Sequence, residues 1–475
     1  VSDLKGIAIG LSNNSKEILK RLKKTEFVKD IYIAGSSKED GKENELIQVQ
    51  KPREILLKKW PEIDLIIFIG SIAASIRIIN PFLTSKDQDP GVIVIDNKCS
   101  KIVPLIGLHQ SNTQNIACQI ANLLGGEIIE TNNSNDQSLL NLDAFGNQWG
   151  WKRSGKINDW SKLVIKQAKN EEIFCKQLSG NSLWKTSESA EIINQIDKKE
   201  TEKPDSTFHV SIFENHGTTW HPPVLWIGIG CERNTSKELI ANSLNNLLES
   251  GNLSQQSIAG FATIDIKKDE KGILELSEEK NLPIKFFSKE DLSTIIVPNP
   301  SNVVQKEIGT PSVAEASCLL AAGEESKLLE EKRIFKNQSG AVTIAVAESK
   351  NQYNPTHGEI HIIGSGPGDI SFLTNNARKA LSRCTVWIGY KMYLDLIKPL
   401  KRNDQVLIES KLTEEKERCS KAIKLAEEGI KVALISSGES GFYGMAGLLL
   451  ELLQKIKKEY RPYFEVHPGI SSVQL

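Results

Sequence analysis

Glu359-Ile360-His361-Ile362-Ile363-Gly364-Ser365-Gly366-Pro367-Gly368-Asp369 runs from a β-branched strand straight into a glycine loop, and a helix follows from Thr374. The pattern then repeats. Thr385–Ile388 reads as a strand, a helix from Glu414 stops at Gly429, and strand Lys431–Ile435 enters Ser436-Ser437-Gly438-Glu439-Ser440-Gly441-Phe442-Tyr443-Gly444. A third turn, Pro468-Gly469-Ile470-Ser471-Ser472, follows another strand. Strand–loop–helix repetition of this kind predicts a parallel sheet covered on both faces, with its loops gathered at the carboxyl ends of the strands.

Upstream, the same rhythm recurs twice. Residues 224–348 carry strands Val224–Ile229, Ile258–Ile264, Ile284–Phe287 and Val342–Val346. Their helices are expected to open at Thr235-x-x-Glu238, as a capping box, and at Thr310-Pro311, and the second to end at Ala322-Gly323. In residues 5–131, Asp64–Ile69 and Val92–Asp96 are near-continuous apolar runs, and Thr113–Leu124 is a helix stopped by Gly125-Gly126. Between these regions, 132–223 begins with a turn-rich Asn-Asn-Ser-Asn-Asp and holds most of a tryptophan group (149, 151, 160, 184, 220, with 226 just beyond). We read it as a small, irregular linking domain whose tryptophans pack a core, against the alternative of base or sugar stacking. The expected fold class is α/β, several doubly wound parallel-sheet domains: 1–131, 132–223, 224–350 and 357–475.

The chain has 475 residues, enough for several cores, and its 59 basic against 60 acidic side chains leave a net charge of −1. That balance argues against nucleic-acid or membrane-surface partners. The longest apolar stretch is interrupted by Gly70, Ser71, Ser75 and Arg77, which excludes it as a membrane span, and no signal peptide is recognisable. A cytoplasmic protein is expected. Seven scattered cysteines without Cys-x-x-Cys, and seven histidines without His-x-x-x-His, predict neither disulfides nor a metal site. Gly35–Lys42 imitates a phosphate loop but has five residues between its glycines and Glu43 where Ser or Thr would hold magnesium. It reads as a charged surface loop. The end at Leu475, just after a turn that should open a helix, reads as an interruption.

Gly364-Ser365-Gly366-Pro367-Gly368-Asp369 departs from the dinucleotide fingerprint, because Asp369 stands where the last glycine belongs and Pro367 removes an N–H. A carboxylate there disfavours phosphate and suits a cationic ligand with hydroxyls. S-adenosylmethionine is such a ligand; a plain tight turn is the alternative.

The three glycine stretches, in this order, resemble the tetrapyrrole methyltransferase family. With Ile388-Gly389-Tyr390-Lys391-x-Tyr393-Leu394 and Tyr443-Gly444-Met445-Ala446-Gly447, the region is similar to precorrin-3B C(17)-methyltransferases of cobalamin synthesis. It would form the N-terminal half of that fold. The resemblance implies S-adenosylmethionine as cofactor, methyl transfer with ring contraction, and a cleft completed by a second domain. It places Gly366, Pro367, Gly368, Asp369, Gly438, Glu439, Phe442, Tyr443, Ser471 and Ser472 at the cofactor. Glu439-Ser440 departs from the Asp-Pro usual in the family. Without the second domain, these 475 residues are expected not to methylate.

Gly228-Ile229-Gly230-Cys231-Glu232-Arg233, Ala262-Thr263-Ile264-Asp265, Pro298-Asn299-Pro300-Ser301 and Gly309-Thr310-Pro311-Ser312-Val313-Ala314-Glu315-Ala316 resemble the C-terminal domain of cobalt-precorrin-5A hydrolases, and residues 5–131 their N-terminal domain. That family opens a corrinoid lactone and expels acetaldehyde. The resemblance implies a corrinoid partner rich in carboxylates, which Arg233 and Lys391 are candidates to grip. Water activation falls to His109, with Asp265 or Glu315 as acid or base partner. Each has a plainer reading: His109 as a surface hydrogen-bonder, Glu315 serving a helix start, Asp265 closing a strand. The family's Gly-His-x-Gly-Gly loop is Leu108-His109-Gln110-Ser111-Asn112 here, without its glycines. A non-catalytic corrinoid-binding or channelling role for 1–348 therefore stands beside the hydrolase reading. A homodimer is the one self-association allowed for.

Overall fold

The computed structural model describes residues 4–35, 47–84, 88–107, 113–129, 139–197, 204–214, 217–338, 340–441 and 444–471. The chain forms two compact units, Val1–Asn133 and Ser134–Leu475. The first holds a seven-stranded sheet in the order Ile47–Gln50, Asp30–Ala34, Gly6–Gly10, Leu65–Ile69, Gly91–Ile95, Lys101–Ile106, Glu127–Ile128. Gly6–Gly10, Leu65–Ile69 and Gly91–Ile95 are buried throughout, which is why they read as unbroken apolar runs. Lys101–Ile106 runs antiparallel to its neighbour Gly91–Ile95, so the sheet is mixed rather than wholly parallel.

The second unit holds three five-stranded sheets. Residues 132–223 are more regular than their turn-rich start implies. Ile193–Gln195, Ile173–Gln177, Thr207–Val210 and Thr219–His221 lie parallel, and Lys152–Ser154 closes the edge antiparallel. Short strands with little alternation hide this sheet from a periodicity reading. Its core is aromatic. Phe145 meets the rings of Trp184, Trp220, Phe208 and Trp151 at 5.1–5.9 Å, and Trp149, Trp151, Trp160, Trp184 and Trp220 are each at most 2% exposed. Their burial leaves no face for stacking on a ligand. Gly146 is needed there, since a Cβ would stand 2.3 Å from the Trp220 ring.

The next sheet orders Ile284–Phe287, Ile258–Ile264, Leu225–Cys231, Gly340–Glu348, Lys327–Asn337, with the last two strands antiparallel. The eleven-residue strand Lys327–Asn337 escapes the sequence reading because its exposed edge is charged. Two helix starts also differ from expectation. Ser236, not Thr235, caps Lys237–Ser250 by accepting from Leu239 N at 3.2 Å, because Thr235 Oγ1 donates to the Glu232 carbonyl at 2.9 Å. The Thr310-Pro311 helix begins only at Ala314; residues 310–313 turn first.

The C-terminal sheet is wholly parallel: Val406–Ser410, Val386–Tyr390, Lys431–Ser436, Glu359–Gly364, Tyr463–His467. Thr374 caps the helix Asn375–Arg383, as its position before the helical run predicts. Among the described residues no helix is long and apolar enough to cross a membrane, and six cysteines are free thiols.

Gln352, 2% exposed, lies in the segment joining the last two sheets. Its Oε1 accepts Trp151 Nε1–H at 2.8 Å, and its Nε2 donates to the carbonyls of Trp149 and Glu428, both at 2.7 Å. Gln352→Leu strands three buried polar groups, each worth about 1–3 kcal/mol. A stability loss of about 3 kcal/mol or more is expected by chemical denaturation, against a change under about 0.5 kcal/mol for the exposed control Gln255→Leu.

Candidate functional site: three converging glycine loops

Three adjacent strands of the C-terminal sheet, Lys431–Ser436, Glu359–Gly364 and Tyr463–His467, deliver the three glycine loops to one end of the sheet. The backbones meet there. Gly366 N donates to Gly438 O and Gly438 N to Gly366 O, both at 3.1 Å. A Cβ at Gly469 would lie 2.1 Å from Gly438 O, and one at Gly364 2.4 Å from Gly469 N, so this approach demands glycine at 364 and 469. Gly438 has φ +57, and a Cβ there would meet nothing within 4 Å, which marks open space above the junction.

The loops' polar groups are arranged differently from one another. Asp369 is exposed; the Ser371 hydroxyl and the Ser371 N–H, 2.7 Å from Oδ1, hold its carboxyl below the usual range. Pro367 and Gly368, half-buried, lie between it and the Gly366–Gly438 pair. Glu439 bends back so that Oε2 accepts Gly441 N at 2.8 Å, a reach the extra methylene over Asp allows. Ser440 is fully buried, and its hydroxyl donates to the His467 carbonyl at 3.4 Å, a tie that proline could not make. Ser365 is 4% exposed, and its Oγ has no hydrogen-bond partner among the described residues. A buried orphan hydroxyl inside a ligand-type loop points to a polar group that completes it. Ser471 closes the third loop; Phe442, Tyr443 and Ser472 lie outside the described residues.

Lys391 opens the helix Lys391–Ile397 beside a shallow cleft of about 700 Å³. Its ammonium faces Glu409 at 3.0 Å and Asp395 at 3.5 Å, which raise its pKa. Both carboxylates must be displaced or shared before it grips a substrate carboxylate.

In the preceding sheet, Arg233 and Asp265 follow the carboxyl ends of neighbouring strands. Arg233 spans to the next loop, meeting Asp269 at 2.6 Å, the Ile266 carbonyl at 2.7 Å and the buried Glu270 at 3.6 Å. Asp265, half-buried, opens a single turn. Glu315 is elsewhere. It is fully buried in the first turn of Ala314–Ala322, where Oε1 accepts Asn299 Nδ2 at 3.0 Å and Lys332 N at 3.2 Å, and Oε2 accepts the Ser312 hydroxyl at 3.5 Å. The structure does not bring these two groups into one hydrogen-bonded array. His109 lies outside the described residues. Sequence reasoning missed Gln352, which belongs to no motif, and quoted Ser365 only as part of the first glycine loop; burial is what singles both out.

Three glycine loops thus share the carboxyl end of a wholly parallel sheet that follows a mixed α/β region. Residues 359–475 match the family described as Tetrapyrrole (Corrin/Porphyrin) Methylases, residues 225–347 Cobalamin synthesis G C-terminus, and residues 54–135 Cobalamin synthesis G N-terminal. The chain is therefore a cobalamin-biosynthesis protein, a cobalamin synthesis G region fused to a tetrapyrrole methylase domain. It is 27% identical to a cobalt-precorrin-5A hydrolase of Priestia megaterium, over 71% of this chain and 93% of the relative. A Salmonella typhimurium hydrolase of the same description is 26% identical, over 59% and 82%. A cobalt-factor III methyltransferase of Priestia megaterium is 46% identical over 24% of this chain, which spans only 22% of that relative.

Glu315→Ala should lower stability by about 2–3 kcal/mol in chemical denaturation, since it leaves the Lys332 amide and the Ser312 hydroxyl without this acceptor, while Asn299 keeps Glu331. Glu315→Gln, which keeps an acceptor, should lose about 1 kcal/mol.

Proposed function

We propose that the three glycine loops hold S-adenosylmethionine for methylation of a tetrapyrrole ring. The residues fit that ligand: the Gly366–Gly438 junction leaves main-chain space, the Ser365 hydroxyl awaits a partner, and Asp369 offers a carboxylate to an ammonium or hydroxyl. When bound, the cofactor supplies an electrophilic methyl on its sulfonium. The chain's own task is positioning, with backbone and carboxylates fixing the cofactor while Lys391 orients a substrate carboxylate. The single observation that carries this is the close approach of Gly364, Gly438 and Gly469. In the resemblance that supports it, the methyl goes to ring carbon 17; the relatives' names favour a cobalt-loaded substrate.

For residues 1–348 the leading reading is lactone hydrolysis, with Asp265 as acid or base partner and Arg233 gripping the substrate; water activation by His109 rests on the sequence resemblance alone. The occupied carboxylate of Glu315 supports a positioning role for that residue. It also keeps the non-catalytic corrinoid-binding reading alive. Release of acetaldehyde from cobalt-precorrin-5A separates the two. The fourfold division at 131, 223 and 350, and a cytoplasmic location, are part of the same proposal.

The cofactor site is tested by calorimetric titration of the full-length protein with S-adenosylmethionine. Gly469→Ala is expected to weaken binding at least tenfold, about 1.4 kcal/mol, whereas Gly447→Ala, in a helix where a Cβ meets nothing within 4 Å, should leave it unchanged. Equal binding by both variants would remove the loops from the cofactor.

A further inference from the structure

His361, Glu465 and His467 form a second cluster, on the edge strand Tyr463–His467 and its neighbour Glu359–Gly364. The register sets His361 opposite Glu465 and Ile363 opposite His467, so the three side chains share one face. Both imidazoles are buried, at 3% and 6% exposure, while Glu465 is half-exposed.

The geometry is that of a ligand set. His361 Nδ1 and His467 Nε2 are 2.9 Å apart, and the Glu465 Oε2 lies 3.9 and 3.8 Å from them. A triangle with these sides has its centre about 2.1 Å from each corner, the length of zinc–nitrogen and zinc–oxygen bonds. The tautomer is already set. His361 Nε2–H donates to Glu359 Oε2 at 2.9 Å, and Lys431 anchors the other Glu359 oxygen at 2.6 Å. Nδ1 is thereby left with its lone pair turned toward the cluster, the carboxylate–histidine arrangement that orients metal-binding imidazoles.

We propose that His361, His467 and Glu465 bind a divalent transition-metal ion of the zinc type, with a water as fourth ligand on the exposed Glu465 side. Binding replaces the N–H···N bond between the two imidazoles: the Nε2 proton of His467 passes through solvent to its own Nδ1, so the ring stays neutral while His361 Nδ1 and His467 Nε2 both turn lone pairs to the metal. The ion then ties the edge strand to its neighbour Glu359–Gly364. His467 is the residue immediately before Pro468-Gly469, so a loaded site fixes the root of the third glycine loop. The sequence could not show this, because the ligands are separated by about a hundred residues and form no helical His pair.

The probe is zinc chloride, added to full-length protein first stripped with chelator. Calorimetry should show one zinc per chain, with affinity reduced at least tenfold in Glu465→Gln and in His467→Ala. Glu359→Gln, acting through His361, should weaken binding about tenfold while keeping the stoichiometry. Glu465 is half-exposed on an edge strand, so its variant should fold, and circular dichroism checks this. In the wild type zinc should raise Tm; in Glu465→Gln it should not. Absence of zinc binding, or unchanged affinity in either ligand variant, overturns the proposal.

Discussion

The second unit depends on how one buried amide is satisfied. Gln352 lies between two sheets and reaches a third, and its side chain accepts and donates at full capacity: Trp151 Nε1 and Asn181 N to Oε1, the Trp149 and Glu428 carbonyls from Nε2. Apolar packing alone is non-directional and would tolerate sliding of one sheet over another. An amide with four partners in a low-dielectric interior tolerates none, because any shift leaves buried polar groups unpaired. Neighbouring ties follow the same line. Asn181 Nδ2 donates to Glu428 at 2.5 Å, Gln148 Nε2 to Asp404 at 2.8 Å, and Thr385 Oγ1 to the Gln148 carbonyl at 3.1 Å. The tryptophan core of 132–223 is continuous with the core under the C-terminal sheet.

That arrangement bears on the glycine loops. They are held by backbone-to-backbone contact among Gly364, Gly366, Gly438 and Gly469, with no long side chains to absorb error. Such a junction keeps its geometry only if the three strands beneath it stay in register. The register is supported on the opposite face by Ile360, Ile362, Val432 and Leu434, which pack in the cluster that contains the tryptophans. The middle region thus packs beneath the sheet that carries the loops.

Much of the fold was legible because it rests on local signals. Unbroken apolar runs marked the buried strands, Thr374 marked a helix start, and the strand–glycine–helix order marked the C-terminal sheet. What stayed hidden depends on distant partners. The strand Lys327–Asn337 is exposed and charged, so its pattern reads as solvated chain. Thr235 lost the cap to Ser236 because its hydroxyl found a carbonyl instead. The site divides the same way. The loops were readable from glycine spacing, but the orphan hydroxyl of Ser365 and the internal role of Glu315 follow from burial, which no spacing encodes. His109, Phe442, Tyr443 and Ser472 stay readings of the sequence.

The tryptophan-rich sheet and the C-terminal sheet are expected to open as one cooperative body through Gln352. Native-state hydrogen exchange tests it most directly. Slowly exchanging amides of Thr207–Val210 and of Lys431–Ser436 should share one opening free energy, and both should fall together in Gln352→Leu. If the amides of Thr207–Val210 exchange through a separate, lower-energy opening in the wild type, with those of Lys431–Ser436 unaffected, the two sheets are independent and the claim fails.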